Sequence, residues 1–320
     1  MNISGINRLY YYNKFGKRIL LLGELHLNNG CQSTDENVVD VSDYIIGLVD
    51  TIPEDECLDV FLEGTYKKNS VITSFSSLGR TTSALRTKSA FDETKNLRVH
   101  YSDPRYIEQD GFIYVYPFTS ALSSLKRAGM LKQFQQLVSK DDMLNAIDYL
   151  LTIKQVKNRK YFLKIFKVFQ ELGMIDQDLV DSISPWEEIY FKVVNKELSK
   201  LDKSTISKKL LISNLSNAYR HMAETLLETG DPYWEIFGLL TLIPIDIYNL
   251  SRMFVLFDDK PNDICNKPTV DNIIIFTGSV HISVYEYFLN ISFEMKPEIF
   301  SSNESKHNLC LPVVNFDFWE

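Results

Sequence analysis

Arg18-Ile19-Leu20-Leu21-Leu22-Gly23-Glu24-Leu25-His26 is the stretch that decides the fold. From Ile19 to Leu22 every residue is apolar, so an extended chain here is greasy on both faces, as a strand inside a parallel sheet must be. Leu9-Tyr10-Tyr11-Tyr12 and the turn Asn13-Lys14-Phe15-Gly16 precede it, which makes Arg8 to Leu22 a hairpin. Three further runs have the same character: Leu58-Asp59-Val60-Phe61-Leu62, Leu97-Arg98-Val99-His100-Tyr101 and Ile273-Ile274-Ile275-Phe276. Val38, Val41, Ile45, Leu48 and Val49 share one side of an expected helix over residues 38–50. Residues 70–90, rich in Ser and Thr, are expected to form a mobile loop.

Between Tyr106 and about Asp258 the 3.6-residue period takes over. Ser184-Pro185-Trp186-Glu187 has the order of an N-cap, a first-turn proline and a capping-box glutamate. Thr229-Gly230-Asp231-Pro232 ends one helix and starts another, and Pro244 is expected to bend the second. The expected architecture is α/β: a mostly parallel central sheet flanked by helices, with a large helical insertion. Residues 1–105 and 234–320 make the discontinuous core and residues 106–233 the insertion.

Composition removes several function classes. The chain has 320 residues, 34 Lys and Arg against 42 Asp and Glu, and a formal charge of −8, so no chain-wide basic surface exists for nucleic acid. No stretch reaches the roughly 18 apolar residues of a membrane span, and the first residues lack the pattern of a secretory signal. Cys31, Cys57, Cys265 and Cys310 are scattered without CxxC spacing, which fits a reducing compartment rather than a disulfide framework. An intracellular, cytoplasmic protein is the expectation.

The residues at the strand ends are more specific. The first strand runs into Gly23-Glu24-Leu25-His26, the second into Glu63-Gly64, the third into Ser102-Asp103-Pro104-Arg105 and the fourth into Thr277-Gly278-Ser279-Val280-His281. In an open parallel sheet the carboxyl ends of the strands face one edge, where ligands bind. A glycine there turns the chain and leaves room near the backbone. His26 and His281 with Glu24 or Glu63 then make an imidazole–imidazole–carboxylate set for a divalent transition metal. Such a set leaves a position for a water nucleophile, a spare carboxylate for general base, and Arg105 to clamp an anion or oxyanion.

Each element has a plainer reading. Glu63-Gly64 is a solvated turn, Asp103-Pro104 starts a turn, and Arg105 pairs with Asp103. His100, inside its strand, is a hydrogen-bonded core histidine. Asp246, Asn249 and Arg252 advance by three along a greasy helix, either as an ion pair knitting helix to sheet or as support for the site. The basic run Lys154 to Lys167 is a docking face for an acidic partner or membrane surface, or the solvated side of an insertion helix. The loop Asp258 to Asp263 lacks the glycine and terminal glutamate of a calcium loop. His221 and His307 have no role assigned.

Leu21-Leu22-Gly23-Glu24-Leu25-His26, Leu62-Glu63-Gly64 and Phe276-Thr277-Gly278-Ser279-Val280-His281 resemble the superfamily that joins TIKI/TraB-type, ChaN-like and erythromycin-esterase-like proteins. The resemblance covers about residues 18–105 and 240–290. It implies an α/β core with helical insertions, two Gly-x-x-His units, strand-end glutamates and an arginine. His26, Glu63 and His281 then match ligand or acid–base positions, Glu24 the Gly-Glu element, and Arg105 is a weaker match. Metalloprotease, esterase and haem-iron binding all occur in that superfamily, so the resemblance fixes the place of a site better than its reaction. The segment from Asp246 to Phe254 with the strand after it also resembles uncharacterised proteins of giant DNA viruses.

The leading expectation is a metal-dependent hydrolase cleaving a peptide or ester bond in a small molecule or peptide. His26 and His281 would hold manganese, cobalt or zinc, Glu63 would be the third ligand, and Glu24 the water-activating base. Gly23, Gly278, Asp103, Asp246 and Arg252 would support them. The alternatives are a non-catalytic scaffold with an oligomer or virion partner, and a metal-free esterase in which His26 is the base and Glu24 orients it.

Overall fold

The computed structural model describes residues 2–25, 31, 37–63, 77–90, 96–102, 108–109, 112–113, 130–151, 156–181, 183–204, 206–228, 232–256, 265, 267–303, 310–312 and 317–319. In chain order the first elements are β1 Asn2–Ser4, β2 Arg8–Lys14, β3 Lys17–Glu24, β4 Val38–Asp40, α1 Val41–Asp50, β5 Leu58–Leu62, α2 Ser77–Ala90 and β6 Leu97–Tyr101. The short strands β7 Glu108–Gln109 and β8 Phe112–Ile113 come next. The helices α3 Leu131–Leu137, α4 Lys140–Leu151, α5 Arg159–Glu171, α6 Gln177–Asp181, α7 Ile183–Ser199, α8 Lys208–Glu228 and α9 Pro232–Phe254 follow. Strand β9 Asn272–Gly278, helix α10 Ser279–Phe293, β10 Ile299–Ser302 and β11 Cys310–Pro312 close the series.

Two compact units share these elements. The first comprises Met1–Asp103, Lys203–Thr205 and Arg252–Glu320, the second Pro104–Asp202 and Ile206–Ser251. Residues 234–251, expected with the core, therefore belong to the helical unit. They form most of the long helix α9, in which the buried Asp246 accepts a hydrogen bond from the Tyr219 hydroxyl of α8. The helix continues through Pro244.

The first unit is mixed α/β, with a six-stranded, mostly parallel sheet flanked by helices. The strand order is β10-β2-β3-β9-β5-β6, in which β3, β9, β5 and β6 are parallel neighbours. β2 runs antiparallel to β3, and β10 antiparallel to β2. Every residue of β9 is buried, as the apolar run predicts for a central strand. The β2–β3 turn has Phe15 at φ 57° and Gly16 at φ 73°, the mirror-image turn whose twist suits a two-residue hairpin. One face of the sheet packs Leu9, Leu20, Leu22, Val60, Leu62, Ile274 and Phe276 with Val41, Ile45 and Val49 of α1.

Three expectations change here. Residues 38–40, assigned to a helix, pair as β4 with β1, and α1 begins at Val41 with Asp40 accepting the Ser42 N–H at 2.9 Å. Residues 77–90, assigned to a mobile loop, form α2. Its buried Thr81 donates to Ser42 Oγ at 2.8 Å, and the exposed Arg80 binds the Asp40 carboxylate at 2.6 Å. Cys31 and Cys310 form a disulfide across 279 residues of sequence, while Cys57 and Cys265 are buried thiols. The cysteines therefore give no support to a reducing compartment; scattered spacing cannot show which of them the fold makes neighbours.

The second unit is helical. Phe134 stacks on Phe169 at 5.0 Å and Phe162 on Trp186 at 5.9 Å between ring centres. Helix α5 buries Phe162, Ile165, Phe166, Val168 and Phe169 and leaves Lys160, Lys164 and Lys167 of the basic run exposed; Lys154 lies outside the described residues. α7 starts at Ile183, which puts Ser184 inside the helix. Glu187 accepts from the Tyr149 hydroxyl at 2.8 Å and from Arg159 at 2.6 Å. Burial, helped by the Glu187 carboxylate, pushes the Tyr149 hydroxyl far up, so it stays a donor. Among the described residues no helix is long and apolar enough to cross a membrane.

Candidate functional site

The carboxyl ends of β3, β9 and β5 lie side by side in one register. Glu24 is opposite Gly278, and Leu22, Phe276 and Leu62 form one row across the three strands. The chain leaves β5 at Glu63, whose N–H donates to the Phe276 carbonyl at 3.2 Å and so extends the ladder by one residue. Its side chain reaches the mouth of the neighbouring strand: Oε2 accepts the Gly278 N–H at 2.8 Å.

Helix α10 starts directly from β9, with Gly278 as its N-cap at φ −60° and ψ 145°. His281 is the third residue of that helix, and its Nε2 lies 3.6 Å from Glu63 Oε1. Both side chains are nearly sealed, at 2% and 6% exposure. A carboxylate beside a helix N-terminus is favoured by the helix dipole and by the amide hydrogens that point at it. The Tyr285 ring, one turn along α10, flanks the imidazole with ring centres 6.2 Å apart.

The two glycines do different work from the one expected. Gly278 adopts an ordinary extended conformation. A Cβ at Gly23 would stand 3.1 Å from Ser279 Cα and 3.2 Å from Ile282, so this glycine admits the first turn of α10 against β3. The Ser279 hydroxyl lies 3.1 Å from the Glu24 carbonyl and also meets the Asn7 side chain. Glu24 itself is buried, at 2% exposure.

Of the residues singled out by sequence, the structure therefore brings Glu24, Glu63, Gly278, His281 and Gly23 to one rim. His26, Asp103 and Arg105 lie outside the described residues. Asp246 belongs to the helical unit, where it is fully buried against Tyr219; Arg252 belongs to the α/β unit.

The spacing of Glu63 and His281 suits a metal ion. Two ligands at about 2.1 Å on a tetrahedral ion stand about 3.4 Å apart. The observed 3.6 Å matches that edge, and an imidazole with a carboxylate is a suitable donor set. Among the described residues no group of three or more His, Cys, Asp or Glu could hold a metal ion.

A second carboxylate–imidazole pair lies deeper in the sheet. Asp59 of β5 is fully buried and receives two parallel hydrogen bonds from Arg98 of β6, at 2.8 and 2.7 Å. Arg98 also donates to the Lys267 and Thr269 carbonyls at 3.0 and 2.9 Å. His100 Nε2 is 2.7 Å from Asp59 Oδ1, and its ring stacks on Phe61 at 4.3 Å. Burial holds the His100 imidazole below its ordinary pKa, against the pull of Asp59 and with the help of Arg252 and Arg98. His100 is thus the hydrogen-bonded core histidine expected. The partner, Asp59, was the residue missed; a charged residue in the middle of an apolar strand was its signal.

No protein-family model, curated protein or solved structure matches the chain.

Proposed function

We propose that the α/β unit is a hydrolase of the TIKI/TraB type, cleaving an ester or peptide bond in a small molecule or peptide at the Glu63–His281 rim. The single observation that carries this reading is the 3.6 Å approach of a buried imidazole and a buried carboxylate at the carboxyl ends of parallel strands. Glu63 is held in place by the Gly278 N–H on one oxygen, and its other oxygen lies 3.6 Å from the imidazole. His281 and Glu63 would hold a divalent ion, manganese, cobalt or zinc, with His26 as the third ligand by its place after β3. When bound, such an ion supplies Lewis acidity and a water acidic enough to ionise near neutral pH. Glu24, in register with Gly278, is the carboxylate assigned to take a proton from the attacking water.

One observation favours a second reading. The Gly278 N–H to Glu63 bond also ties the start of α10 to β5, which is what a scaffold without turnover would need. That reading places the chain as an oligomeric or virion-associated protein in a host cytoplasm or a particle. A disulfide persists in the second setting and is reduced in the first.

Metal analysis of purified wild type, His281→Ala, Glu63→Gln and His26→Ala separates the readings, together with assays on a panel of ester and peptide substrates. The hydrolase reading expects about one equivalent of metal in wild type, and at least about tenfold weaker binding in each variant. Equal trace metal in all four proteins and no turnover by wild type would sink it in favour of the scaffold.

A further inference from the structure

The second sheet of the α/β unit, β11-β1-β4, has only three residues in each strand. So small a ladder is marginal without help. Its cover is partly apolar, since Ile3 and Leu311 are fully buried in the core. The rest is covalent. Cys310, opposite Ser4 in the β1–β11 ladder, is bonded to Cys31, whose N–H donates to Ser4 Oγ at 3.0 Å. The bond therefore pins the connection between β3 and β4 near its middle to the strand that closes the sheet.

A hydrogen-bond path leads from this bond to the rim. The Asn303 amide donates to the Cys310 carbonyl at 3.2 Å, and the Asn303 N–H to the Asn7 carbonyl at 2.8 Å. The Asn7 N–H donates to the Gly23 carbonyl at 2.8 Å, and its side chain meets the Ser279 hydroxyl in the first turn of α10. The four cysteines also divide by access. Cys31 and Cys310 are half-buried, whereas Cys57 and Cys265 are buried. Burial, with Cys57 beside it, pushes the Cys265 thiol far up and leaves it a poor nucleophile.

We infer that Cys31–Cys310 is a reducible latch: closed, it holds β11 and the Asn303–Asn7 bridge against the start of α10, and opened by a small thiol it releases both. The exchange balances with glutathione as the reductant. A glutathione thiolate attacks one sulfur of the Cys31–Cys310 bond, forming a mixed disulfide and expelling the other cysteine as a thiolate that takes up a proton. A second glutathione thiolate resolves the mixed disulfide. Two electrons pass to the protein, which gains two thiols, and one glutathione disulfide leaves. This inference is independent of the hydrolase reading, because it concerns order at the rim and not turnover.

The full chain is equilibrated with glutathione disulfide or with reduced glutathione, then denatured and alkylated, and hydrogen exchange is followed in parallel samples. Alkylation is expected at Cys57 and Cys265 only in the first buffer and at all four cysteines in the second. Amides of β1, β11 and the first two turns of α10 should exchange at least about tenfold faster after reduction, while β3 and β9 stay unchanged. The double variant Cys31→Ser, Cys310→Ser should exchange fast in both buffers; if it does not fold, the reduced wild type carries the readout. Alkylation of Cys31 and Cys310 in the disulfide buffer, or equal exchange at the start of α10 in both states, overturns the latch.

Discussion

The α/β unit contains two carboxylate–imidazole pairs, both buried, and they differ in spacing and in place. Asp59 and His100 stand 2.7 Å apart with a guanidinium closing the other side of the carboxylate, so the group is a completed network inside the sheet. Glu63 and His281 stand 3.6 Å apart at the strand ends, beyond a direct hydrogen bond, with the backbone N–H of Gly278 on the carboxylate. A completed network specifies the fold. A spaced pair at a strand end is where the proposed chemistry would sit.

Isosteric amides test the contrast, beginning with the largest effect. Asp59→Asn leaves the Arg98 guanidinium in a nearly sealed position, at 15% side-chain exposure, without its counter-charge. Removing one member of a buried ion pair costs about 3–5 kcal/mol, so the urea midpoint should fall sharply. A loss below about 1 kcal/mol would show that the network contributes little and that the comparison is drawn in the wrong place.

The next effect is pH-dependent. His100 is held below its ordinary pKa in the folded protein, chiefly by burial, while in the unfolded chain it titrates near 6.5. Below pH 6.5 the unfolded state takes up a proton that the folded state refuses. The stability linked to this residue is therefore complete above that pH and declines as pH falls toward the depressed value, by at most about 1.4 kcal/mol per pH unit. Asp59, Arg98 and Arg252 are the charged groups that act on it. Denaturation of wild type and His100→Gln between pH 7.5 and 5 should show the gap between them narrowing in wild type's disfavour. A gap that does not change with pH contradicts the assignment.

The legible parts of this molecule are those where one segment carries its own signal. Ile19 to Leu22 and Ile273 to Phe276 can only be central strands, and Phe15-Gly16 dictates the hairpin that sets the register of β2 and β3. Strand-end chemistry follows once those strands are parallel, so Glu24, Glu63 and His281 could be placed on a common rim before any coordinates. Pairings between remote segments had no such signal. β4 consists of three residues that pair with β1 beside them, and α2 is helical although five of the first seven residues are serine, threonine or glycine. The Cys31–Cys310 bond and the Arg98 partner of Asp59 also depend on neighbours that no local pattern names. Gly23 was legible as a special position for the wrong reason: its missing side chain makes room for α10, not for a ligand.

The smallest stability effect belongs to Glu63→Gln, and it is the most informative of the three. Glutamine keeps an oxygen for the Gly278 N–H and removes the negative charge near the start of α10, which is worth up to about 2 kcal/mol at a partly buried site. The urea midpoint should therefore move less than in Asp59→Asn. A rim that serves chemistry tolerates this change in the fold while losing its function, because its carboxylate was kept for what it binds. If Glu63→Gln instead costs as much as Asp59→Asn, the two pairs are alike after all: Glu63 is then a fastening between β5 and α10, and its spacing from His281 carries no meaning for function.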